Sequence, residues 1–371
     1  MDVRVLEVNV DDIGMGGVFS LVRNVIRHNQ GKIHIDIATL EPFENHSNIE
    51  ELEGYGCKVH YVGYKKSKII KQFICLIKLK KIVEDYGYTC VHIHADVANK
   101  LFVSGLASRM AGSKKIILHS HASNVEGKHR KLKIIFHKSC RFFLKYIGTD
   151  FVSCSDFAAE WMFPNVPEEK KLFVNNGVNL RKFQFDSIKR NATRRELNVE
   201  DCFVLGHVGR FHYVKNHKYL IKIFSNVVKQ HPKSKLLLVG DGELKNEIEE
   251  FANNLGVADN VIFYGVSYHV EELFQAMDCF VLPSFCEGFP IVGVEAQAAG
   301  LPVLFSDTIT TTAKLIDEVK FLPINEGSIE LWSNTILNLL KYKRHNTFHE
   351  LYERGFDISQ TVETLTKLYM L

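Results

Sequence analysis

The sequence predicts an α/β protein with two doubly wound domains, each built on a parallel sheet. The chain has 371 residues, which is more than one core of ordinary size accommodates. Short apolar segments that fit strands alternate with amphipathic segments that fit helices, and this alternation is typical of parallel sheets covered on both faces. The same rhythm begins again after a polar, basic stretch at 181–200, which predicts a second domain of the same kind.

The first half begins with a strand at 3–10 and a helix at 18–28. Further strands are predicted at 33–39, 57–62, 90–94, 115–119, 151–154 and 172–174, and further helices at 69–86, 98–111 and 128–147. The last of these helices is assigned from apolar residues at helical spacing: Leu132, Ile135, Phe136, Phe143 and Ile147.

The second half repeats the pattern, with strands predicted at 203–208, 235–239, 261–264, 279–282 and 302–305 and helices at 216–230, 244–255 and 291–299. The domains are expected to span 1–183 and 184–371, with the last helix packing back on the first domain. Two Rossmann-like doubly wound domains facing across a cleft would bind a ligand beyond the carboxyl ends of their strands. Helix N-termini lie at that edge and suit phosphates.

Composition is ordinary for a soluble globular protein, with 46% hydrophobic and 24% charged residues. The N-terminus has no basic start followed by a long uncharged segment, so we expect no secretory signal. No apolar run approaches the ~20 residues of a spanning helix. Eight cysteines occur without a C-x-x-C pair, which favours reduced thiols in a cytoplasmic protein.

Charge is distributed unevenly along the chain. Between Lys65 and Lys145 there are 18 basic and 4 acidic residues, whereas the whole chain has 46 and 43. On the helix at 128–147, Lys131, Lys138 and Lys145 recur every seven residues and share one face. This favours docking of the first domain on an anionic membrane surface, at the inner face of the cell membrane. The alternative is a helix that packs its apolar stripe inward and leaves its lysines in water.

The strongest chemical motif holds two glutamates, Glu287 and Glu295, across a turn and the start of a helix. A sugar nucleotide has hydroxyls on its hexose and on its ribose, with a diphosphate between them. Glu287 on the loop is predicted to bind the hexose, and Glu295 on the helix the ribose diol. N–H groups near Phe289, Ile291 and Val292 are predicted to face the diphosphate. At the opening turn, Pro290 fits because it has no N–H to leave unsatisfied.

The segment MDCFVLPSFCEGFP at 277–290 resembles the donor-site signature of glycosyltransferase family 4. Further similarities to exopolysaccharide and capsular-polysaccharide enzymes of that family are GHVGRF at 206–211, KNH at 215–217, LHSHASN at 118–124, MGGV at 15–18, CS at 154–155, NGV at 176–178 and IFYG at 262–265. The resemblance covers nearly the whole chain and is densest from 172 to 302. It implies the GT-B fold and a retaining transfer of sugar.

Other residues take roles that fit the resemblance. Arg210 ends a strand and Lys215 begins a helix, where their charges are predicted to bind the diphosphate. Gly16 and Gly17 precede the first helix and would let backbone approach the ligand closely. Val266 follows a strand and is predicted to hold the base through backbone groups.

The resemblance further implies that His121 faces the reacting sugar, and the alternative is a buried structural histidine. His92 and His94 are predicted to lie on opposite sides of their strand, so that at most one reaches the cleft. The predicted catalytic residues are therefore His121, Glu287, Arg210 and Lys215.

No D-x-D motif occurs, and the 17 histidines show no metal-ligand spacing, so we expect no metal and no cofactor. The predicted function is retaining transfer of a hexose or N-acetylhexosamine from a nucleotide-diphosphate donor, by resemblance a UDP-sugar. The predicted acceptor is a saccharide or a lipid-linked molecule in surface polysaccharide biosynthesis. Attack from the face of the leaving group is preferred, since no residue is identified as a nucleophile. No nucleic-acid partner is expected.

Three alternatives remain. The segment GMGGVF at 14–19 resembles a dinucleotide-binding motif, but Phe19 stands at the third glycine position and Asp11 and Asp12 would repel a pyrophosphate. A sugar-nucleotide epimerase of the GT-B fold and a non-catalytic sugar-nucleotide-binding protein share the predicted fold. Nucleotide release coupled to sugar transfer separates the main interpretation from all three.

Overall fold

A computed structural model of the chain describes residues 3–13, 17–29, 31, 33–64, 68–121 and 130–370. The chain forms two compact units: unit 1 comprises Met1–Gly177 and Ile358–Leu371, and unit 2 comprises Val178–Asp357. The division at 177/178 lies a few residues before the predicted domain boundary.

Unit 1 contains, among its described residues, a parallel sheet of seven strands in the order β3-β2-β1-β4-β5-β6-β7. Its elements in chain order are β1 (Arg4–Val8), α1 (Gly17–His28), β2 (His34–Thr39), α2 (His46–Gly54), β3 (Val59–Tyr61), α3 (Lys68–Tyr86), β4 (Cys90–Ala95), α4 (Ala98–Met110), β5 (Lys115–Ser120), α5 (Arg130–Leu144), β6 (Asp150–Ser153), α6 (Asp156–Met162) and β7 (Lys171–Phe173). Apolar cores cover both faces of this sheet, which is why its strands are nearly continuous apolar runs.

Unit 2 repeats the plan with six parallel strands, in the described residues, in the order β10-β9-β8-β11-β12-β13. Its elements are α7 (Leu180–Phe183), α8 (Ser187–Glu196), β8 (Phe203–Val208), α9 (His217–Gln230), β9 (Ser234–Val239), α10 (Lys245–Asn254), β10 (Val261–Gly265), α11 (Val270–Ala276), β11 (Cys279–Leu282), α12 (Ile291–Ala298), β12 (Val303–Ser306), β13 (Val319–Leu322), α13 (Ile329–Leu337) and α14 (Phe348–Glu353). Short 3₁₀ turns complete both units.

The last helix, α15 (Ile358–Met370), belongs to unit 1. Its buried residues Ile358, Leu365 and Leu368 join the same core as Val22 and Val25 of α1. The sheet order in each unit places the first and fourth strands side by side. This is the switch point at which doubly wound sheets bind ligands.

The polar stretch at 181–200, where the sequence analysis placed the domain boundary, is part of unit 2. Arg190 and Arg194 on α8 bind Asp278 at 2.5 and 3.0 Å, and both donate to backbone carbonyls at the end of α11. Their charges thus point into the unit, which composition alone did not reveal.

All eight cysteines lie in the described residues and none of them forms a disulfide there, in agreement with the expectation of reduced cysteines. In the described part of the chain, no helix combines the length and apolar character needed to cross a membrane.

Candidate active site

The loops that follow β8 and β11 meet at the switch point of unit 2. The side chain of Asn216 donates to the carbonyl of Pro283 at 3.1 Å, and the N–H of Phe285 donates to the carbonyl of Val214 at 2.8 Å. The rings of Tyr213 and Phe285 stack at 4.9 Å. At Asn216 the left-handed conformation, with φ of 55°, turns the chain from a 3₁₀ turn into α9. Two segments far apart in sequence therefore form one surface.

Two predicted catalytic residues contact each other on this surface. The Lys215 ammonium lies 2.8 Å from the Glu287 carboxylate, and both side chains are largely buried. A charge-assisted bond of this kind holds both groups in a fixed geometry. The predicted hexose-binding carboxylate and the predicted phosphate-binding cation thus orient one another.

Arg210 lies after β8 on the same edge but is more exposed, with its guanidinium 3.7 Å from the Glu243 carboxylate. The loop that holds Arg210 runs close to the backbone that follows β9. A Cβ at Gly240, where φ is 137°, would lie 2.2 Å from the carbonyl oxygen of Gly209. The glycine after β9 therefore fixes the path of the residues that precede Arg210.

The start of α12 faces the same edge of the sheet. Its first turn is closed by the N–H of Gly293, which donates to the carbonyl of Pro290 at 2.8 Å. The N–H groups of Ile291 and Val292 come before this bond and have no acceptor within the helix. Packing fixes the helix start, because the Phe289 ring stacks on Phe356 at 5.5 Å. Two aligned N–H groups and the helix dipole favour an anion here.

Glu295 occupies the second turn of α12 and is half-buried. Burial, reinforced by the like charge of Glu271, raises the pKa of Glu295 to about 8, against a smaller opposing effect of Lys182. Lys182 itself binds Glu271 at 2.9 Å, so its charge is shared. Glu295 therefore carries a proton at neutral pH in the free protein, which the sequence did not predict.

Val266 follows β10 and is exposed, next to Gly265 with φ of 85°. The carbonyl of Gly265 accepts from the N–H of Gly240 at 2.8 Å, which ties this loop to the one after β9. Its position at the carboxyl edge fits the predicted contact with the base, and that role stays a prediction.

In unit 1, Gly17 is the exposed first residue of α1, and Gly16 lies outside the described residues. His121 follows β5 at the carboxyl edge of the sheet and is half-buried. His94 contacts it, with Nδ1 of His94 2.8 Å from Nε2 of His121.

The prediction that His92 and His94 lie on opposite sides of their strand was wrong. Their ring centroids are 4.2 Å apart on one face of the sheet, because residues two positions apart on a strand share a face. With His119 they bring three imidazoles together, whose ligand atoms all lie within 4.8 Å of one another. Linear spacing did not show this group, because it forms only when β4 and β5 pair.

The comparisons with known proteins identify the class of enzyme. The family described as glycosyl transferases group 1 matches residues 189–355, and the family described as glycosyl transferase 4-like matches 27–154. These two matches confirm the predicted resemblance to glycosyltransferase family 4, and the chain is a glycosyltransferase. It is 29% identical to the putative glycosyltransferase EpsF of Bacillus subtilis, over 99% of this chain and 96% of that protein.

One further relative and one solved structure are informative. The chain is 26% identical to the UDP-Gal:alpha-D-GlcNAc-diphosphoundecaprenol alpha-1,3-galactosyltransferase of Escherichia coli, over 81% of this chain and 80% of that protein. The structure of HepE of Anabaena in complex with UDP-glucose matches with a TM-score of 0.80 at 18% identity, over 99% of this chain and 100% of that one. The predicted GT-B fold and the predicted glycosyltransferase class are thus confirmed.

Proposed function

We propose that this glycosyltransferase moves a hexose or N-acetylhexosamine from a UDP-sugar to a saccharide or lipid-linked acceptor in surface polysaccharide biosynthesis, with retention of configuration. The observation that carries the proposal is the surface formed by the loops after β8 and β11, where Lys215 pairs with Glu287 on the segment that leads into α12. The name of a similar Staphylococcus aureus protein, capsular polysaccharide biosynthesis glycosyltransferase CapH, supports the polysaccharide context, and that of the Escherichia coli relative supports a lipid-linked acceptor. The UDP-glucose complex of HepE supports the donor.

In this proposal the diphosphate binds Arg210, Lys215 and the first N–H groups of α12. These groups stabilise the negative charge that develops on the leaving phosphate. The protein supplies the positive charge, so no metal is needed. Glu287 binds the hexose, Glu295 the ribose diol, and the backbone near Val266 the base.

The bond between the anomeric carbon and the diphosphate oxygen breaks, and the acceptor hydroxyl attacks that carbon from the same face. The departing phosphate oxygen takes the proton of the acceptor hydroxyl, which balances the reaction as UDP and glycoside. His121 faces the reacting sugar.

The test is a panel of UDP-sugars with a lipid-diphosphate-linked saccharide as acceptor. We expect UDP and glycoside to form in equal amounts, with the donor's anomeric configuration kept in the product by NMR. Free isomerised sugar nucleotide would indicate an epimerase, UDP-sugar binding without turnover would indicate a scaffold, and an inverted product would contradict retention.

We further propose that unit 1 docks on the anionic inner face of the cell membrane. On α5, Leu132, Ile135 and Phe136 are 67%, 62% and 57% exposed among the described residues, so the helix does not pack these apolar side chains inward. Phe73 on α3 is 65% exposed. Both helices pack against α4, so these apolar side chains lie on one side of the sheet.

Basic residues accompany the exposed apolar ones. Lys131 and Lys138 are exposed on α5, and the Lys145 ammonium lies 5.0 Å from the centroids of the Phe142 and Tyr146 rings. Apolar side chains between basic ones fit the boundary between head groups and acyl chains. Each basic residue near an anionic surface contributes roughly 1 kcal/mol, and salt screens this attraction.

Vesicle co-sedimentation tests the docking. We expect binding to vesicles with 30% phosphatidylglycerol, no binding to pure phosphatidylcholine, and loss of binding in 0.5 M salt or in the triple variant K131E/K138E/K145E. The matched control is K229E/K233E/K320E, which makes the same charge change on exposed lysines of unit 2. Equal loss in both variants would contradict a specific surface, and no binding by the wild type at low salt would end the proposal.

A further inference from the structure

A cluster of six polar side chains lies in and beside the sheet of unit 1, on strands that are neighbours in space. The histidine cluster comprises Glu7 on β1, His92 and His94 on β4, His119 on β5, His121 just after β5, and Tyr369 on α15. All except His121 are buried. Burying this many polar groups is costly unless each is hydrogen-bonded, so their contacts define what the cluster does.

One path of hydrogen bonds leads from the buried carboxylate to the half-buried histidine. Nε2 of His94 lies 2.7 Å from Oε2 of Glu7, and Nδ1 of His94 lies 2.8 Å from Nε2 of His121. The other carboxylate oxygen, Oε1, accepts from the hydroxyl of Tyr369 at 2.6 Å. His94 thus bridges Glu7 and His121 with both of its ring nitrogens.

The protonation state of Glu7 determines which atoms donate and which accept along this path of hydrogen bonds. Burial by itself would raise the pKa of Glu7, but the electrostatic attraction of the His92 ring and the hydrogen bonds from His92 and His94 outweigh burial and hold that pKa well below its ordinary value. A carboxylate only accepts hydrogen bonds. Nε2 of His94, which faces the carboxylate, therefore carries a proton.

A neutral histidine ring carries a proton on only one of its two nitrogens. Burial, reinforced by His92, lowers the pKa of His94 to about 4 against the opposing effect of Glu7, so His94 is neutral at pH 7. With its proton on Nε2, its Nδ1 is an acceptor. Burial and the neighbouring His94 also lower the pKa of His121 well below its ordinary value. A neutral His121 then donates from Nε2 to His94, and its own Nδ1 is left as an acceptor.

We propose that Glu7 and His94 are positioning residues that hold His121 in the tautomer whose Nδ1 accepts a hydrogen bond. This rests on the proposed function, in which His121 faces the reacting sugar. The group that His121 binds is then a hydroxyl of the donor or acceptor. It is not a phosphate oxygen, which has no proton to donate to Nδ1 at neutral pH.

A metal ion is the other use such a cluster could have. Nε2 of His119 has no hydrogen-bond partner among the described residues, and three histidines lie close enough to share an ion. However, Nε2 of His92 already lies 3.1 Å from Nδ1 of His119, and His94 uses both nitrogens for Glu7 and His121. A metal would need unprotonated nitrogens turned toward one centre. Hydrogen bonding explains the observed positions of the rings, whereas binding a metal would require the rings to turn.

The test reads the tautomer of His121 directly, by ¹⁵N NMR of the histidine-labelled full chain, with the His121 signals assigned by their loss in His121→Asn. We expect a neutral ring protonated on Nε2 between pH 6 and 8 in the wild type. In Glu7→Gln, whose amide can donate to His94, we expect a change to a mixture of tautomers. Tyr369→Phe is the matched control, because it removes a hydrogen bond from the same carboxylate on the oxygen that His94 does not use, and His121 should stay unchanged.

Sugar transfer gives the second readout. We expect kcat/KM to fall about 3- to 10-fold in Glu7→Gln and in His94→Gln, the loss associated with one well-placed hydrogen bond between neutral groups, and by less than about twofold in Tyr369→Phe. Thermal unfolding shows which variants fold. If either Glu7→Gln or His94→Gln does not fold, the other variant still tests the inference.

Three outcomes would overturn the inference: an unchanged His121 tautomer in both Glu7→Gln and His94→Gln, a His121 that is charged at pH 7, or a stoichiometric zinc ion found in the purified protein by mass spectrometry. A wild type that transfers no sugar would refute the proposed function instead, and would leave the tautomer result standing. Transfer by Glu7→Gln and His94→Gln at the wild-type rate would refute the inference and leave the proposed function in place.

Discussion

Affinity for a UDP-sugar should increase as the pH rises from 6 to 9, because Glu295 must lose its proton before it accepts two hydrogen bonds from the ribose diol. Burial and the neighbouring Glu271 raise the pKa of Glu295 to about 8 in the free protein. At pH 7 about one molecule in ten then has the ionised form. The proton therefore weakens binding about tenfold, or about 1.4 kcal/mol, relative to pH 9.

The sign follows from the proton count. The free protein holds the proton and the complex does not, so binding releases about 0.9 proton at pH 7 and the affinity falls with each unit of pH below 8. Isothermal titration with UDP-glucose measures this, since its diphosphate does not titrate in this range. Two buffers with different enthalpies of ionisation give the number of protons released.

Glu295→Gln is the control, because glutamine keeps the size of the side chain and cannot titrate. Its affinity should be the same at every pH. Glu271→Gln removes the like charge and should move the wild-type pH dependence toward lower pH. A dissociation constant for the wild type that is flat from pH 6 to 9, with no proton released, would refute the role of Glu295 at the ribose.

The remaining predictions concern charge, packing and acid stability. Arg210→Ala and Lys215→Ala should each lower kcat/KM for transfer about 10- to 100-fold, and EDTA should have no effect; an absolute requirement for magnesium or manganese would contradict this. Arg210→Ala should change thermal stability little, whereas Lys215→Ala should lower it, because it removes the ion-pair partner of the largely buried Glu287. Gly240→Ala should cost roughly 1–3 kcal/mol of stability, because its Cβ would meet the backbone 2.2 Å away, and an unchanged melting temperature would contradict that close approach. Burial lowers the pKa of His94 and of His207 to about 4 in the folded protein. As the pH falls from 6.5 to 4, these histidines therefore take up protons in the unfolded chain before they do so in the folded one. Each of these two histidines should therefore lower the free energy of unfolding by at most about 2 kcal/mol between pH 7 and pH 5. Their combined effect exceeds the stability that protonation of Glu295 restores over the same range, so an equal melting temperature at both pH values would contradict this.

Local pattern determined much of the fold. Strand and helix periodicities depend on neighbours within a few residues, so the alternation at 203–239 and 279–305 could be predicted and was found at nearly the predicted bounds. The motif proposed for the donor site could be recognised for a similar reason, since Glu287, Pro290 and Glu295 lie on one short loop and helix. The stretch at 181–200 shows the limit of composition, because arginines that bind Asp278 inside the unit look like those of a polar linker.

Only the tertiary structure decided what depends on strand order and register. Lys215 and Glu287 meet because β8 and β11 are neighbours in the sheet, although five other helices and strands separate β8 from β11 along the chain. Glu7, His94 and His121 meet because β1, β4 and β5 pair side by side in one register. The sequence by itself determined which elements form and which residue types are available. Which side chains touch, and hence which of them carry a proton, was decided by long-range pairing and burial, because both act between residues that the chain keeps far apart.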